Sequence, residues 1–245
     1  MNTTIQQLTK HVSVRSFEDV PLDQKQKKDL LAAARSGSSS HFVQAYSILE
    51  ISDTKLRSEL AEITNSAPYV KQTGVFYIFL ADLYRQATLL EAQGESLAGI
   101  QSMESLMVGI VDATIAAQNM VVAAESMNLG ICYIGGIRNH LAKVAELLDL
   151  PRFTVPVFGL TIGYPIVKNE PKPRLPLENQ VAENKYPREQ FAAMQDYEQQ
   201  TATYYAQRGL NPQQTSWSEK NVHFFKEVRR PETGTFLAKQ GFLLQ

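Results

Sequence analysis

The stretch at residues 11–17 places three polar side chains at alternate positions. His11, Ser13 and Arg15 are separated by two valines. Alternate side chains of an extended backbone point to the same side, so a ring N–H, a hydroxyl and a guanidinium would share one face. Arginine presents a fork of donors that matches phosphate oxygens, and serine and histidine add further donors. The stretch therefore indicates either an anion-binding set or a short strand with one solvated face.

A second pair of cations lies in the proline-rich segment at residues 171–176. Its prolines stiffen the backbone and leave Lys172 and Arg174 at alternate positions. We interpret this segment in one of two ways. Either the two cations clamp one phosphate together with the set at residues 11–15, or they belong to a solvated basic loop.

Two other stretches carry residue types that suit contact with a ligand. Serines at 38–40 directly follow a glycine, and their hydroxyls favour either a ligand-binding loop or a helix cap. Gly135 and Gly136 follow a predicted strand. A glycine pair lets a backbone approach a flat ligand and present N–H groups to it, but it is also typical of a plain tight turn.

Several kinds of catalytic site are excluded by the sequence. The four histidines lack close metal-ligand spacing, and the single cysteine, Cys132, cannot build a thiolate metal site. The chain contains no nucleophile elbow, no P-loop and no dinucleotide-binding glycine motif. We therefore expect no catalytic side chain and no metal. Ligand binding, or catalysis by an organic cofactor, remains.

The composition indicates which partners the protein can bind and in which cellular compartment it works. The 245 residues carry 24 Lys and Arg against 25 Asp and Glu, a net charge of -1, which does not favour nucleic acid or an acidic membrane. One cysteine fits a reducing compartment, and we see no signal peptide. The apolar segment at 106–129 is interrupted by polar residues such as Asp112, which favours a buried helix over a membrane span. We expect a cytoplasmic protein.

The elements that must position these residues follow from hydrophobic periodicity. Apolar alternation and continuous apolar runs predict strands at residues 44–52, 75–81, 131–134 and 155–162. Helical spacing predicts helices at residues 3–10, 21–36, 53–64, 102–128, 191–208 and 219–228. The run at 75–81 should be the centre of the sheet, and Pro156 suggests an edge strand or the first position of a strand. The irregular order of helices and strands indicates an α+β fold.

The predicted helix at 102–128 is rich in small residues and has apolar residues three and four apart. This pattern fits equally the core of a monomer and the core of a dimer interface, because apolar periodicity does not separate them.

Taken in order, the motifs closely resemble the oxygen-insensitive NAD(P)H nitroreductase and flavin reductase family, of the NfsA/FRP type. They are His-x-Ser-x-Arg-x-Phe at 11–17, Ser-Ser-Ser-x-Phe-x-Gln at 38–44, Val-Asp-x-x-x-x-Ala-Gln-Asn at 111–119, Ala-Ala-Glu-Ser at 123–126, Tyr-Ile-Gly-Gly-Ile-Arg-Asn at 133–139, Lys-Pro-Arg-Leu-Pro at 172–176 and Tyr-Tyr-x-x-Arg-Gly at 204–209. The similarity runs nearly end to end.

The resemblance implies an FMN flavoprotein with a central, mostly antiparallel sheet flanked by helices. It further implies an intertwined homodimer, with one flavin at each end of the dimer interface. Residues 1–165 would form the FMN-binding core. Residues 166–245 would add the basic phosphate loop and a C-terminal helical excursion of the same domain.

Carried over from the family, a first group of residues would hold the FMN phosphate and ribityl chain: His11, Ser13, Arg15, Lys172 and Arg174. This group matches the cations singled out by spacing alone.

A second group would contact the flavin ring. Backbone amides of Tyr133, Ile134, Gly135 and Gly136 would lie along the isoalloxazine, and an N–H donor near N5 would stabilise reduced flavin. Ser39 would contact the cofactor from the other subunit.

The chain departs from the family at two places. Where relatives often carry a Gln and a His or Tyr facing the flavin, this chain has Ala67 and Tyr69, so only Tyr69 carries over. Arg208 matches a cation that grips the 2′-phosphate of NADPH, but the second such arginine is here Gln213. We therefore expect weaker discrimination and use of both NADH and NADPH. Arg230 falls where relatives have an arginine near the substrate mouth.

The resemblance implies an FMN-dependent NAD(P)H oxidoreductase that acts by ping-pong hydride transfer on small molecules. Expected acceptors are nitroaromatics, nitrofurans, quinones, free flavin and azo dyes. One alternative is a flavin reductase that supplies free reduced FMN to other enzymes. Another, of a different class, is a non-catalytic module that binds a flavin or a phosphate ligand.

Overall fold

The computed structural model describes residues 1–209 and 211–243, which divide into two compact units. The first unit comprises Met1–Leu8, Ser13–Lys168 and the described residues from Arg230 onward. The second comprises Thr9–Val12 and Asn169–Arg229. The boundary expected after residue 165, within a single domain, stays a prediction.

The first unit is built around a four-stranded sheet in the order β1-β2-β4-β3. Its strands are β1 (Tyr46–Glu50), β2 (Val75–Asp82), β3 (Gly130–Ile134) and β4 (Thr154–Gly163). Every pairing between these strands is antiparallel, and an isolated parallel bridge joins Ser13 to Ile131 of β3. The α+β fold with a mostly antiparallel sheet is confirmed, as are all four predicted strands.

Strand β2 lies inside the sheet, as its sequence predicts, and all eight of its residues are buried. Successive strand residues point to opposite faces. Accordingly, Tyr77 and Phe79 belong to one hydrophobic core, whereas Phe76 and Ile78 belong to a second core on the other face. The sheet is covered on both faces, which explains why β2 is a continuous apolar run and not an alternating one.

Pro156 requires a correction, because it marks neither the edge of the sheet nor the first residue of its strand. Strand β4 pairs with β2 on one side and with β3 on the other. However, β3 reaches only residues 159–163 of β4, and Pro156 lies opposite Leu80, beside an irregularity in the register. The missing N–H is tolerated there because only one strand pairs with that part of β4 and the ladder is already interrupted.

The helices cover both faces of the sheet and build the second unit. They are α1 (Thr3–Thr9), α2 (Gln24–Arg35), α3 (Thr54–Thr64), α4 (Ala67–Lys71), α5 (Tyr84–Ala92), α6 (Ala98–Gln101), α7 (Met103–Ser126), α8 (Leu141–Leu147), α9 (Arg188–Ala192), α10 (Gln195–Gln207), α11 (Trp217–Phe225) and α12 (Thr233–Lys239). Side-chain caps fix several starts: Asp23, Asp53 and Ser102 each accept a hydrogen bond from a backbone N–H in the first turn of α2, α3 and α7.

Helix α7 is the longest helix, as predicted, and packs with α2 on one face of the sheet. Among the described residues it is also the one helix long and apolar enough to cross a membrane by length and composition. Nine of its residues are nevertheless buried in the protein, including the carboxylate residue Asp112. A second stripe of the same helix is exposed and apolar, at Met103, Met107 and Val111.

The second unit has a small aromatic core between α10 and α11. The rings of Tyr197 and Trp217 meet edge to face with centroids 6.0 Å apart. The Glu198 carboxylate on α10 accepts hydrogen bonds from the backbone N–H and the hydroxyl of Ser218, at the start of α11. The single helix expected at 191–208 is thus two helices, since α9 ends at Ala192 and α10 begins at Gln195.

Candidate active site

The segment that follows His11 runs extended along β3. The Val14 N–H donates to the Ile131 carbonyl over 2.8 Å. Val14 is 2% exposed, whereas the next residue, Arg15, is exposed. The predicted alternation is therefore present, with a valine in the core and Arg15 on the solvent side. His11 itself belongs to the second unit, where it is half-buried.

Arg15 carries its charge close to β3. Burial raises the pKa of the Cys132 thiol in that strand, and the positive charge of Arg15 partly opposes this shift. Within 1–209 and 211–243, no carboxylate forms a salt bridge with Arg15. Together with the half-buried Ser13 hydroxyl, it presents donors beside the strand that ends at the glycine pair.

Immediately after β3, Gly135 and Gly136 begin a 3₁₀ turn that extends to His140. The first N–H groups of a helical turn have no partner within the turn, so these glycines offer backbone donors. Gly136 is also required by packing, because a Cβ there would clash with the carbonyl oxygen of Thr64. Gly136 is therefore needed for the close contact with α3, and it also offers a backbone N–H donor at the start of the turn.

The side chains of Tyr133 and Ile134 lie on opposite faces of the sheet, where Tyr133 is half-buried and Ile134 is buried. Ile134 is 2% exposed. The Tyr133 hydroxyl lies 3.3 Å from the side-chain oxygen of Gln118, and its ring meets Phe158 edge to face at 5.1 Å. Burial raises the pKa of Tyr133 to about 12, with a smaller contribution from Glu125. The contact of the backbone groups of residues 133 and 134 with a flavin stays a prediction.

Tyr69 reaches the same turn through the end of α3. Its hydroxyl donates to the Ser66 Oγ over 2.8 Å, and the Ser66 N–H lies 3.2 Å from the Thr64 Oγ1. The Thr64 carbonyl in turn packs against Gly136. The structure therefore connects Tyr69 to the glycine turn by way of Ser66 and Thr64. Its expected position facing the flavin stays a prediction.

Arg230 also lies at this turn. Its Nε and Nη2 donate to the Asn139 Oδ1 over 3.1 and 2.9 Å, and Nη2 lies 3.3 Å from the Gly135 carbonyl oxygen. Arg138, which sequence reasoning did not single out, donates to the Val157 carbonyl. Burial, and then the charge of Arg230, lower the pKa of Arg138. Two guanidinium groups thus flank the predicted flavin-binding turn.

Ser39 occupies a different part of the first unit, on a loop held by α7. Its hydroxyl donates to the Asp112 carboxylate over 2.7 Å and accepts from the Gln44 N–H, also over 2.7 Å. The N–H groups of Ser40 and Ala45 donate to the same carboxylate over 3.2 and 3.0 Å. No hydrogen bond joins Ser39 to the Gly135 turn in the part of the chain that the structure describes, and its contact with the cofactor of another subunit stays a prediction.

The loop after Ser39 is unusually strained for residues that carry side chains. His41, Phe42 and Gln44 have φ values of 46, 58 and 50°, a left-handed region that few non-glycine residues adopt. Phe42 is 80% exposed. The Asp112 carboxylate compensates for this strain with its three hydrogen bonds, and sequence reasoning missed that role. The available signal was an acidic residue on the otherwise apolar side of a helix.

In the second unit, Lys172 and Arg174 are exposed and line one cavity of about 270 Å³. Its other walls are largely aromatic, from Tyr197, Tyr204 and Trp217. Arg208 ends α10, and its Nε donates to the Asn211 carbonyl over 2.6 Å. Gln213 follows in the same loop, where its N–H donates to the Tyr205 carbonyl.

The donors of each unit, taken by itself, are of the types that FMN requires. A phosphate requires cations and hydroxyls, which Ser13 and Arg15 present in the first unit and Lys172 and Arg174 present in the second. A flat ring system with polar edges requires backbone N–H groups without bulky side chains, which the turn at Gly135 provides.

Comparison with known proteins identifies the family. The model of the nitroreductase family matches residues 8–164, and that of the C-terminal domain of the nitroreductase family matches residues 172–245.

Similar proteins cover almost the whole chain. An FMN reductase (NADPH) of Bacillus subtilis is 40% identical over 246 residues, which cover 99% of each chain. An oxygen-insensitive NADPH nitroreductase of Salmonella typhimurium is also 40% identical, over 242 residues and 99% of each chain. The solved structure of B. megaterium NfrA1 superimposes with a TM-score of 0.93 at 36% identity, covering 98% of this chain and 99% of the other. The chain belongs to the nitroreductase family.

Proposed function

We propose that this chain is an FMN-dependent NAD(P)H oxidoreductase that reduces nitroaromatics, quinones or flavins. The observation that carries the proposal is the match along the whole chain to relatives named FMN reductase and NADPH nitroreductase. The chemistry that FMN supplies when bound is ping-pong hydride transfer from NAD(P)H to the electron acceptor. No side chain of the protein is required as a nucleophile.

The protein's own residues bind and orient the reactants. We propose that His11, Ser13, Arg15, Lys172 and Arg174 hold the FMN phosphate and ribityl chain, because the exposed cations among them suit a phosphate.

For the flavin ring, we propose backbone contacts from Tyr133, Ile134, Gly135 and Gly136, with Tyr69 near the ring and Ser39 reaching it from a partner subunit. Arg208 would bind NAD(P)H, and Arg230 would lie at the substrate mouth.

The choice of acceptor separates two forms of the activity. A relative named FMN reductase (NADPH) supports the reduction of free flavin as an alternative to the reduction of nitro compounds. Steady-state rates with free FMN and with a nitroaromatic, at one fixed NADPH concentration, distinguish the two. A much higher kcat/KM for free FMN would make the chain a supplier of reduced flavin.

The first experiment is a visible absorption spectrum of the purified protein, before and after anaerobic addition of NADPH or NADH. We expect a flavin band that bleaches with the dinucleotide. A colourless protein that does not take up FMN would overturn the proposal and leave the non-catalytic module. A coloured protein that neither dinucleotide bleaches would limit the chain to flavin binding.

We also propose that the chain forms a homodimer through α7. Met103, Met107 and Val111 are 38, 47 and 53% exposed and recur every four residues, so they form one apolar stripe along the helix. Such a stripe on a soluble protein is typical of an interface. An FMN site that receives Ser39 from a second subunit requires the same assembly.

We also propose that the protein is cytoplasmic and does not contact a membrane. The single cysteine suits a reducing compartment. The buried residues of α7 support its role as a core helix, since a span would direct most of its surface to lipid.

A further inference from the structure

In the second unit, three cations surround the ring of Tyr205. The Lys220 Nζ lies 4.8 Å from the ring centroid, the Arg208 Cζ 5.3 Å and the Lys172 Nζ 5.9 Å. Among the residues that the structure describes, neither Lys220 nor Arg208 forms a salt bridge. Neighbouring like charges repel one another, so an anion placed between them would be stabilised.

Hydrogen bonds hold Lys220 next to the position at which the family's second arginine is missing. The Lys220 Nζ donates to the Gln213 Oε1 over 2.6 Å. The Gln213 N–H donates to the Tyr205 carbonyl over 2.8 Å, which folds the loop back onto α10. Arg208, Gln213 and Lys220 are all half-buried. The neutral glutamine therefore has a cation at its side.

The groove at this position has room for a ligand. Its volume is about 500 Å³, and its lining includes Gln213, Thr215, Lys220 and His223. The lining also includes Glu219, whose carboxylate accepts a hydrogen bond from the Ser216 N–H over 2.9 Å in the N-terminal cap of α11. Lys220 gives this lining a cation, and a lysine binds a phosphate as a point charge.

We propose that Lys220 is a specificity-determining residue that binds the 2′-phosphate of NADPH together with Arg208. This inference rests on the proposed function. NADPH differs from NADH by its 2′-phosphate. A cation that contacts this phosphate therefore strengthens the binding of NADPH and leaves the binding of NADH unchanged. The expectation of dual use relied on the loss of a cation at position 213. Because Lys220 supplies a cation beside that position, the chain should prefer NADPH.

The test compares the wild-type protein with Lys220→Gln in steady-state assays with each dinucleotide. We expect kcat/KM for NADPH to fall about tenfold, the effect of one partly exposed charge-assisted hydrogen bond, while that for NADH is unchanged. The matched control is Lys226→Gln, at the end of the same helix, where an exposed lysine lies 4.0 Å from Glu227. It should alter neither value. A rescue variant, Gln213→Arg in the Lys220→Gln chain, should restore the preference for NADPH.

A binding measurement tests the site without catalysis. Titration calorimetry with 2′,5′-ADP, which carries the 2′-phosphate, should show about tenfold weaker binding to Lys220→Gln. Binding of 5′-AMP, which lacks that phosphate, should be equal for both proteins.

The outcomes separate the two proposals. Equal losses for NADPH and NADH, or unchanged binding of 2′,5′-ADP, would overturn the role of Lys220. If the wild-type protein oxidises neither dinucleotide, the proposed function fails, and a selective loss of 2′,5′-ADP binding would still establish the phosphate site.

Discussion

The guanidinium of Arg15 lies at the solvent side of an extended segment whose valine is buried against β3. Its position follows from the alternation of apolar and polar residues, so removing the side chain should leave the segment in place. Its exposed location near β3 suits a cation that acts on a ligand.

Arg15→Ala should weaken FMN binding. The loss of a charge-assisted hydrogen bond to phosphate costs about 1.5–3 kcal/mol, which corresponds to roughly a 10- to 100-fold higher Kd. Flavin fluorescence during reconstitution of the apoprotein measures this constant. Arg188→Ala, at an exposed arginine of α9, is the control and should bind FMN normally. Full FMN occupancy of purified Arg15→Ala would show that the assignment is wrong.

Asp112→Asn should destabilise the loop that carries Ser39. Asparagine keeps the size of the side chain but replaces one accepting oxygen by an NH₂ group. This group cannot accept hydrogen bonds from the donors of the loop. We expect a loss of about 1–3 kcal/mol in the free energy of unfolding. Urea denaturation at fixed protein concentration measures it, with Asp19→Asn, at an exposed site, as the control. A variant as stable as the control would contradict the supporting role of Asp112.

Sequence reasoning located individual cations better than their partners. The alternation at 11–15 and the prolines around Lys172 are local features, so the sequence displays them directly. The contact of Ser39 with Asp112 depends on how distant elements pack, and that of Gln213 with Lys220 depends on how a loop folds onto the start of α11. Such contacts have no periodic signature, which explains why both were missed.

At the scale of elements, the turn after β3 joins a strand to a helix by very close packing. Gly136 lies against the last residue of α3, with no space for a methyl group. The glycine pair is therefore a packing requirement of the fold as well as a candidate contact for a flavin.

Gly136→Ala should destabilise the protein by about 1–3 kcal/mol or displace α3, because overpacking forces backbone shifts. Thermal unfolding gives the stability. The control is Gly99→Ala in α6, where an added Cβ meets no atom within 4 Å and alanine is the better helix former, so stability should be equal or slightly higher. Equal melting temperatures for Gly136→Ala and the wild-type protein would contradict the close packing at Thr64.

The predictable elements were those with long, strong patterns. The buried run of β2 and the 24 residues of α7 were placed within a few residues of their observed bounds. The helices α4, α5, α6, α8 and α12, of five, nine, four, seven and seven residues, were not predicted. Helices this short have too few turns to show periodicity, and tertiary packing stabilises them.

At the scale of the whole molecule, the exposed stripe of α7 and the buried Asp112 lie on one helix. The stripe supports the proposed dimer, and Asp112 holds the loop expected to reach the partner's cofactor. Assembly and cofactor binding should therefore be linked through α7.

Met107→Glu should dissociate the proposed dimer, because it places a charge in the middle of the apolar stripe. Size-exclusion chromatography with light scattering should give twice 27.4 kDa for the wild-type protein and 27.4 kDa for the variant. Leu89→Glu introduces the same charge at a leucine of α5 that is 68% exposed, and it should remain dimeric. A monomeric wild-type protein would exclude the dimer, and a dimeric Met107→Glu would exclude this stripe as its interface.

The buried cysteine of β3 gives the sheet an intrinsic chemical reporter. Cys132 is 2% exposed, and burial raises the pKa of its thiol, so both access and reactivity are suppressed in the folded protein. An alkylating reagent therefore reacts only during local opening of β3, and the rate of labelling measures how often the strand separates from its neighbours. Because the chain contains no other cysteine, the label reports on this one strand, directly before the turn proposed to lie along the flavin.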